Sequence, residues 1–161
     1  MDGNQEIKAN INELLSSTLI ILRSNLKHVV DVEVDLSENL PDINCQPGKL
    51  NQVFMNIITN AAHATTDTDL KRSERSVKVS TRVVTTDNAE VIQVEISDNG
   101  VGMSKETQAQ IFIPFFTTKE VGKGTGLGLS IVQGILEDHD AKVEISSTMG
   151  EGTIFILSFP T

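Results

Sequence analysis

Cysteine, long apolar runs and basic charge are scarce in this sequence, and each scarcity closes off a class of protein. Cys45 is the only cysteine, so one chain can hold neither a disulfide nor a cysteine-rich metal site; a reducing, cytoplasmic setting is expected. No apolar run approaches the ~20 residues needed to span a bilayer, and the longest candidate, Leu19 to Leu22, sits inside a polar helix. The opening Met1-Asp2-Gly3-Asn4-Gln5-Glu6 is polar and acidic, so no secretory leader is expected. Thirteen Lys and Arg stand against 22 Asp and Glu, a formal net charge of −9. That balance argues against a nucleic-acid partner, which is held by a basic face. It leaves a nucleotide open as a ligand, because a few lysines and clustered backbone amides can hold phosphates within an acidic protein. The three histidines, His28, His63 and His139, are scattered, and neither an HExxH nor a GxSxG motif occurs.

The 161 residues, 39% hydrophobic and 22% charged, fit one globular domain with one core. Ile11, Leu14, Leu15, Leu19 and Leu22 recur at helical spacing, so an amphipathic helix is expected from about Glu6 to Leu26. Val30, Val32, Val34 and Leu36 alternate with acidic residues as in a half-buried strand. A loop from Ser37 to Gly48 leads to a second helix, about Lys49 to Ala64, with Leu50, Val53, Phe54, Ile57, Ile58 and Ala61 in one stripe. Val77 to Val84 and Val91 to Ile96 form a hairpin turning through Thr86 to Ala89. A third helix from Ser130 to Glu137 precedes a second hairpin, Lys142 to Ser147 with Thr153 to Phe159. This order describes an α+β, two-layer sandwich: a mostly antiparallel mixed sheet with helices on one face.

Four clusters carry chemistry. Asn56, Asn60 and His63 are spaced four and three apart, so they share one side of the second helix. Amide oxygens are hard ligands suited to Mg²⁺, which keeps several waters and shares its shell with phosphates; two asparagines alone would equally suit a solvated face. Asp98-Asn99-Gly100-Val101-Gly102-Met103 follows a strand. A carboxylate there can accept a hydrogen bond from the exocyclic amine of adenine, although an ordinary Asn-Gly turn is the simpler account of this segment by itself. Ile111 to Lys119 holds Phe112, Phe115 and Phe116, three of the six phenylalanines, beside Pro114 in a region without periodicity. Such a segment pins a long loop or docks onto something else. Gly122-Lys123-Gly124-Thr125-Gly126-Leu127-Gly128-Leu129-Ser130 runs into the third helix. Alternate glycines expose amides, and a helix start adds partial positive charge, which together make an anion cradle. The spacing matches neither the dinucleotide fingerprint nor the P-loop.

Together and in this order, the clusters resemble the boxes of the histidine-kinase catalytic domain, whose superfamily includes gyrase, the Hsp90 chaperones and the MutL repair proteins. Asn56 to His63 is similar to the asparagine box, Asp98 to Gly102 to the first glycine box, Phe112 to Phe116 to the phenylalanine box, and Gly124 to Gly128 to the second glycine box. Gly150 to Phe155 resembles the closing glycine–threonine segment, and Pro114 to Lys119 followed by Gly124 to Ser130 most resembles the nitrogen-regulation type of sensor kinase. The resemblance covers the chain from about Ile11 onward and implies ATP and Mg²⁺ as cofactors. It implies that Asn60 binds the metal and Asn56 lies near metal and phosphates, the two serving as catalytic residues. Asp98 would bind the adenine amine with Thr153 in support, and Gly100, Gly102, Met103 and Phe112 would complete the nucleotide site. Gly124, Thr125, Gly126, Leu127, Gly128 and Leu129 would cradle the phosphates, under a mobile lid from Met103 to Lys123. His63 departs from a lysine common at its position, and Lys119 and Lys123 would supply that charge.

None of the three histidines has the setting of a phosphoacceptor, which lies on a helical hairpin and is followed by an acidic residue. The expectation is therefore a catalytic domain, residues 1–161, without its phosphoacceptor and sensor domains. Its partners would be the dimerisation domain of the same parent kinase and, through it, a response regulator. The isolated domain would be monomeric, the parent a homodimer that can carry a membrane anchor. Two alternatives stand beside this reading. A chaperone- or repair-type ATPase would carry a water-activating glutamate where Asn56 stands, and a degenerate kinase would bind nucleotide without transferring phosphate.

Overall fold

The computed structural model describes residues 5–114 and 128–161. In chain order the elements are β1 (Ile7–Ala9), α1 (Ile11–Leu26), β2 (Asp31–Asp35), β3 (Ile43–Cys45), α2 (Pro47–Thr66), a 3₁₀ turn (Arg72–Glu74), β4 (Ser76–Thr86), β5 (Ala89–Asp98), α3 (Lys105–Gln108), α4 (Gly128–Asp138), β6 (Lys142–Thr148) and β7 (Gly152–Pro160). Five strands form one sheet in the order β2-β4-β5-β7-β6, and β1 pairs with β3 in a separate two-stranded ribbon. In the large sheet only β2 with β4 is parallel; the other three pairings are antiparallel. This is the α+β sandwich with a mostly antiparallel mixed sheet.

Alternation builds the sheet's inner face. Val77, Val79, Ile92, Val94, Ile96, Phe155, Leu157 and Phe159 are buried, while Lys78 and Arg82 face solvent between them. Against this face lies α2, whose Leu50, Val53, Phe54, Ile57, Ile58, Ala61 and Ala62 are all buried. Phe54 meets Phe159 edge to face, with ring centroids 6.3 Å apart, an arrangement aromatic quadrupoles favour. The helix α1 adds Ile11, Leu14, Leu15, Leu22 and Leu26 to the same core. Its apolar run divides across the helix: Leu22 is buried, whereas Ile20 and Ile21 are 72% and 62% exposed. Between β4 and β5 the chain reverses through Asp87 and Asn88, both at positive φ (51° and 64°); this two-residue turn has the handedness that suits twisted strands.

Three boundaries differ from the sequence expectation. The first helix begins at Ile11, not Glu6, because Asn10 adopts an extended conformation and its side chain accepts a hydrogen bond from the Asn12 amide as an N-cap. Ile7–Ala9 ahead of it pairs with Ile43–Cys45, so the expected loop from Ser37 to Gly48 contains a three-residue strand. The second helix begins at Pro47, a residue suited to the first helical position, and runs to Thr66. A single helical turn, α3, lies between β5 and α4, where the sequence analysis named no element. Ser104 caps it by accepting from the Thr107 amide, 3.1 Å. Among the described residues no helix is long and apolar enough to cross a membrane.

Within α4, Gly134 is exposed, and a Cβ placed there meets no atom within 4 Å. Glycine in a helix interior costs about 0.5–1 kcal/mol relative to alanine. Gly134→Ala is expected to raise the unfolding free energy by that amount, read in urea unfolding as a higher midpoint at an unchanged m-value.

Candidate functional site

Asp98 is the last residue of β5, paired with Val77 on one side and Thr153 of β7 on the other. One of its carboxylate oxygens accepts a hydrogen bond from the Gly100 amide, 2.8 Å. Burial pushes the carboxyl up from 3.8 to about 6, while hydrogen bonds from the Gly100 and Thr153 backbone amides pull it down. Desolvation wins, so the group sits close to half-charged in mildly acidic solution.

The loop after Asp98 is held against α2. The Val101 amide donates to the Ala64 carbonyl, 3.1 Å. The backbone approaches so closely that a Cβ on Gly100 would lie 2.6 Å from the Ala64 carbonyl carbon. Gly102 is at φ 72° with the Thr148 carbonyl oxygen 2.1 Å from where a Cβ would stand, so both glycines are required by space. Asn99 ties the loop's other side, accepting from the Ser76 amide (2.9 Å) and donating to the Glu74 carbonyl (2.8 Å).

One residue that sequence reasoning did not single out joins these parts. Ser147, near the end of β6, accepts from the Met103 amide at 2.8 Å. Its hydroxyl lies 3.1 Å from the Gly152 carbonyl and 2.7 Å from the Thr153 hydroxyl. Gln108 of α3 donates to the carbonyls of Met103 (3.0 Å) and Ser147 (3.2 Å). Ser147 and Gln108 therefore fasten the start of the expected lid to the corner where Asp98 meets Thr153. The register of β6 with β7, which sets Ser147 opposite Thr153, was the available signal: counting back from the Gly150 turn pairs the two. Ile111 is buried, and Met103 and Phe112 pack partly buried against the core, so residues 103–114 are anchored by apolar contact as well.

The polar side of α2 faces the same region. Asn56 and Asn60 are partly buried and His63 is exposed in the last turn. The Asn56 amide nitrogen lies 3.5 Å from the carbonyl oxygen of Gly128, the first residue of α4. From Asn56, beside Gly128, to Ala64, beside Gly100, the helix rises about 12 Å. The carboxylate corner and the start of α4 thus stand at two ends of one polar helix face. Leu129 packs partly buried behind Gly128. Phe115, Phe116, Lys119, Lys123, Gly124, Thr125, Gly126 and Leu127 lie outside the described residues. Asn56 and Asn60 offer neutral, hard amide oxygens on this face, a donor set that fits a magnesium ion sharing its shell with phosphates and water. Among the described residues no group of three His, Cys, Asp or Glu side chains could hold a metal by itself. A separate groove of about 500 Å³ between α1 and β2, lined by Leu19, Ile20, Val32 and Val34 among others, shares none of these residues.

With this geometry established, comparison with known proteins gives the class. Residues 45–161 match the model of the family described as histidine kinase-, DNA gyrase B-, and HSP90-like ATPase, and the chain belongs to that family. Among curated proteins it is 31% identical over 153 residues to Sporulation kinase E of Bacillus subtilis (strain 168), covering 94% of this chain and 19% of that protein. It is 32% identical over 154 residues to the signal transduction histidine-protein kinase AtoS of Escherichia coli (strain K12), covering 95% and 24%. The chain thus spans about a quarter or less of these two relatives. Among solved structures, the catalytic domain of histidine kinase ThkA superposes with a TM-score of 0.78 at 28% identity, covering 97% of this chain and 95% of that one. Full-length ShkA, in complex with AMPPNP, shares the fold with a TM-score of 0.80 at 23% identity, over 97% of this chain and 31% of that one.

The raised Asp98 carboxyl has a measurable sign. Its folded value, about 6, exceeds the ordinary 3.8, so the folded state favours the protonated form, and the stability this confers is lost as pH rises through about 6. At about 1.4 kcal/mol per pKa unit, keeping the carboxylate ionised costs the fold roughly 2–3 kcal/mol above that pH. Asp98→Asn keeps an acceptor for the Gly100 amide without the charge. Thermal or urea unfolding should find it more stable than the parent at pH ~8, with the difference shrinking toward zero at pH ~4.

Proposed function

We propose that this chain is the ATP-binding catalytic domain of a sensor histidine kinase. It binds Mg·ATP and transfers the γ-phosphoryl group to a histidine on a separate dimerisation and phosphoacceptor domain of its parent. The observation that carries the reading is Asp98: a partly buried carboxylate at a strand end, paired with Thr153 and followed by a loop bonded to α2 through Val101. An acceptor so placed suits the exocyclic amine of adenine, and guanine, with a carbonyl there, is rejected. Gly100, Gly102 and Met103 form the wall beside the base, and Phe112 lines the approach.

About two turns back along α2, Asn56 lies beside Gly128 at the start of α4. Phosphates would be cradled from Gly124 to Leu129, at the positive end of that helix, with Lys119 and Lys123 adding the positive charge that a lysine in place of His63 would otherwise bring. Asn60 would hold Mg²⁺, which neutralises charge on the phosphates. Catalysis is then mainly positioning and charge neutralisation. The unprotonated imidazole nitrogen of the acceptor attacks the γ phosphorus, and an N–P bond forms as the P–O bond to ADP breaks. The electron pair leaves on ADP, and the ring's other N–H proton passes to a base or to solvent. Asn56 has no basic oxygen to activate water, which favours transfer over hydrolysis. The phosphoryl group would pass onward from the histidine to a response regulator. The domain is read as cytoplasmic and monomeric, in a homodimeric parent, with residues 103–123 as the lid.

A hydrogen bond to a charged group is worth about 1.5–3 kcal/mol, so Asp98→Ala should weaken ATP and ADP binding ~10- to 100-fold in calorimetry, and GTP should bind the parent chain poorly. Equal ATP affinity in parent and variant would remove the adenine assignment.

Asn60→Ala should abolish most of the Mg²⁺-dependent gain in ATP affinity and leave metal-free binding little changed. The unsubstituted chain tests transfer. With γ-labelled ATP and the acceptor domain of the same parent, label should appear on the acceptor and not on this chain. Nucleotide binding without any transfer would identify a non-enzymatic nucleotide-binding module, and ATP turnover to ADP and free phosphate without an acceptor would identify an ATPase.

A further inference from the structure

The far end of the α2–α4 pair carries a contact that nucleotide chemistry does not use. Gln46 is the N-cap of α2, and its side chain makes no capping bond. Its backbone amide instead donates to His139 Nε2 at 3.0 Å, joining residues 93 apart in sequence. The other ring nitrogen, Nδ1, lies 2.8 Å from the Ile135 carbonyl oxygen, one turn back. A carbonyl only accepts and a backbone amide only donates. Both bonds form together only if the ring is neutral, with its proton on Nδ1 and Nε2 bare.

A second proton on Nε2 would aim one N–H at another. It would also bring positive charge to the start of α2, where the helix dipole is positive. The charged and titratable groups on the surrounding elements are Glu137 and Asp138 on α4, Asp140 after it, Lys142 and Glu144 on β6, Lys49 and His63 on α2, and Cys45 on β3, which feels Glu6. Both ring nitrogens are taken by main-chain groups.

The two helices run antiparallel, with His139 meeting Gln46 at one end and Gly128 meeting Asn56 at the other. We propose that His139 is a positioning residue: the neutral ring, bonded at both nitrogens, holds the register of α4 against α2, and with it the alignment of Gly128 with Asn56 on which phosphate binding depends. This rests on the reading of Asn56 and Gly128 as phosphate-side residues.

Nitrogen NMR of the imidazole tests the contact without nucleotide. At pH ~8 the Nδ1–H tautomer is expected, with the Gln46 amide slow to exchange; the Nε2–H tautomer would overturn the proposal. Calorimetry with Mg·ATP then compares the parent with two variants. His139→Gln keeps an acceptor that does not titrate, and His139→Phe keeps a ring without one. At pH ~8 the Phe variant should bind ATP about 3- to 10-fold more weakly than the parent, and the Gln variant within about twofold of it. A Phe variant that binds as the parent does, or a Gln variant that binds as weakly as the Phe variant, would refute the proposal. If no chain binds ATP, the nucleotide reading has failed, and the tautomer alone decides the contact.

Discussion

The hydrogen bond from the Val101 amide to the Ala64 carbonyl sets the distance between the sheet and the helix that together make the site. Everything polar at the site is arranged around that approach. It requires glycine at position 100, because α2 leaves no room for a Cβ, and it brings the end of β5 beside the last turns of α2. The carboxylate of Asp98 and the amides of Asn56 and Asn60 then border one region although they come from a strand and a helix far apart in the chain. The buried stripe of α2 against Val77, Ile96 and Phe155 supplies the apolar force that keeps this approach closed. The hydrogen bonds of Asn99 and Ser147 steer the loop once it is there.

Much of this was legible from residue order. Alternation gave both hairpins, and the stripe of α2 gave both its buried face and, by subtraction, its polar one. The position of Asp98 at a strand end follows from the Val91 to Ile96 alternation running out into Asn-Gly. Thr153 was indicated by resemblance to the family, and the strand register then set it opposite Asp98. What stayed hidden falls into two kinds. β1, β3 and α3 are three or four residues long, too short for either period to repeat. The contacts of Ser147 with Met103 and of His139 with Gln46 cross 44 and 93 residues. A lone serine in a strand and a lone histidine after a helix carry no local pattern that distinguishes them from solvated residues.

At Asp98 burial works against charge. The carboxylate is disfavoured by desolvation, and the Gly100 and Thr153 amides offset only part of that cost. A further hydrogen-bond donor brought to this carboxylate would relieve the remainder. The polar ties around it, Gly100 to Asp98 and Ser147 to Thr153, hold the geometry in which such a donor would be met.

The central pairing of the sheet, β5 with β7, is closed by a segment that contains α3, α4 and β6. The entropy of closing such a segment grows only with the logarithm of its length, about 0.6 kcal/mol per doubling. A change in the length of that connection, made outside α3, α4 and β6, therefore costs the sheet little, and the corner where Asp98 meets Gly100 and Thr153 keeps its register.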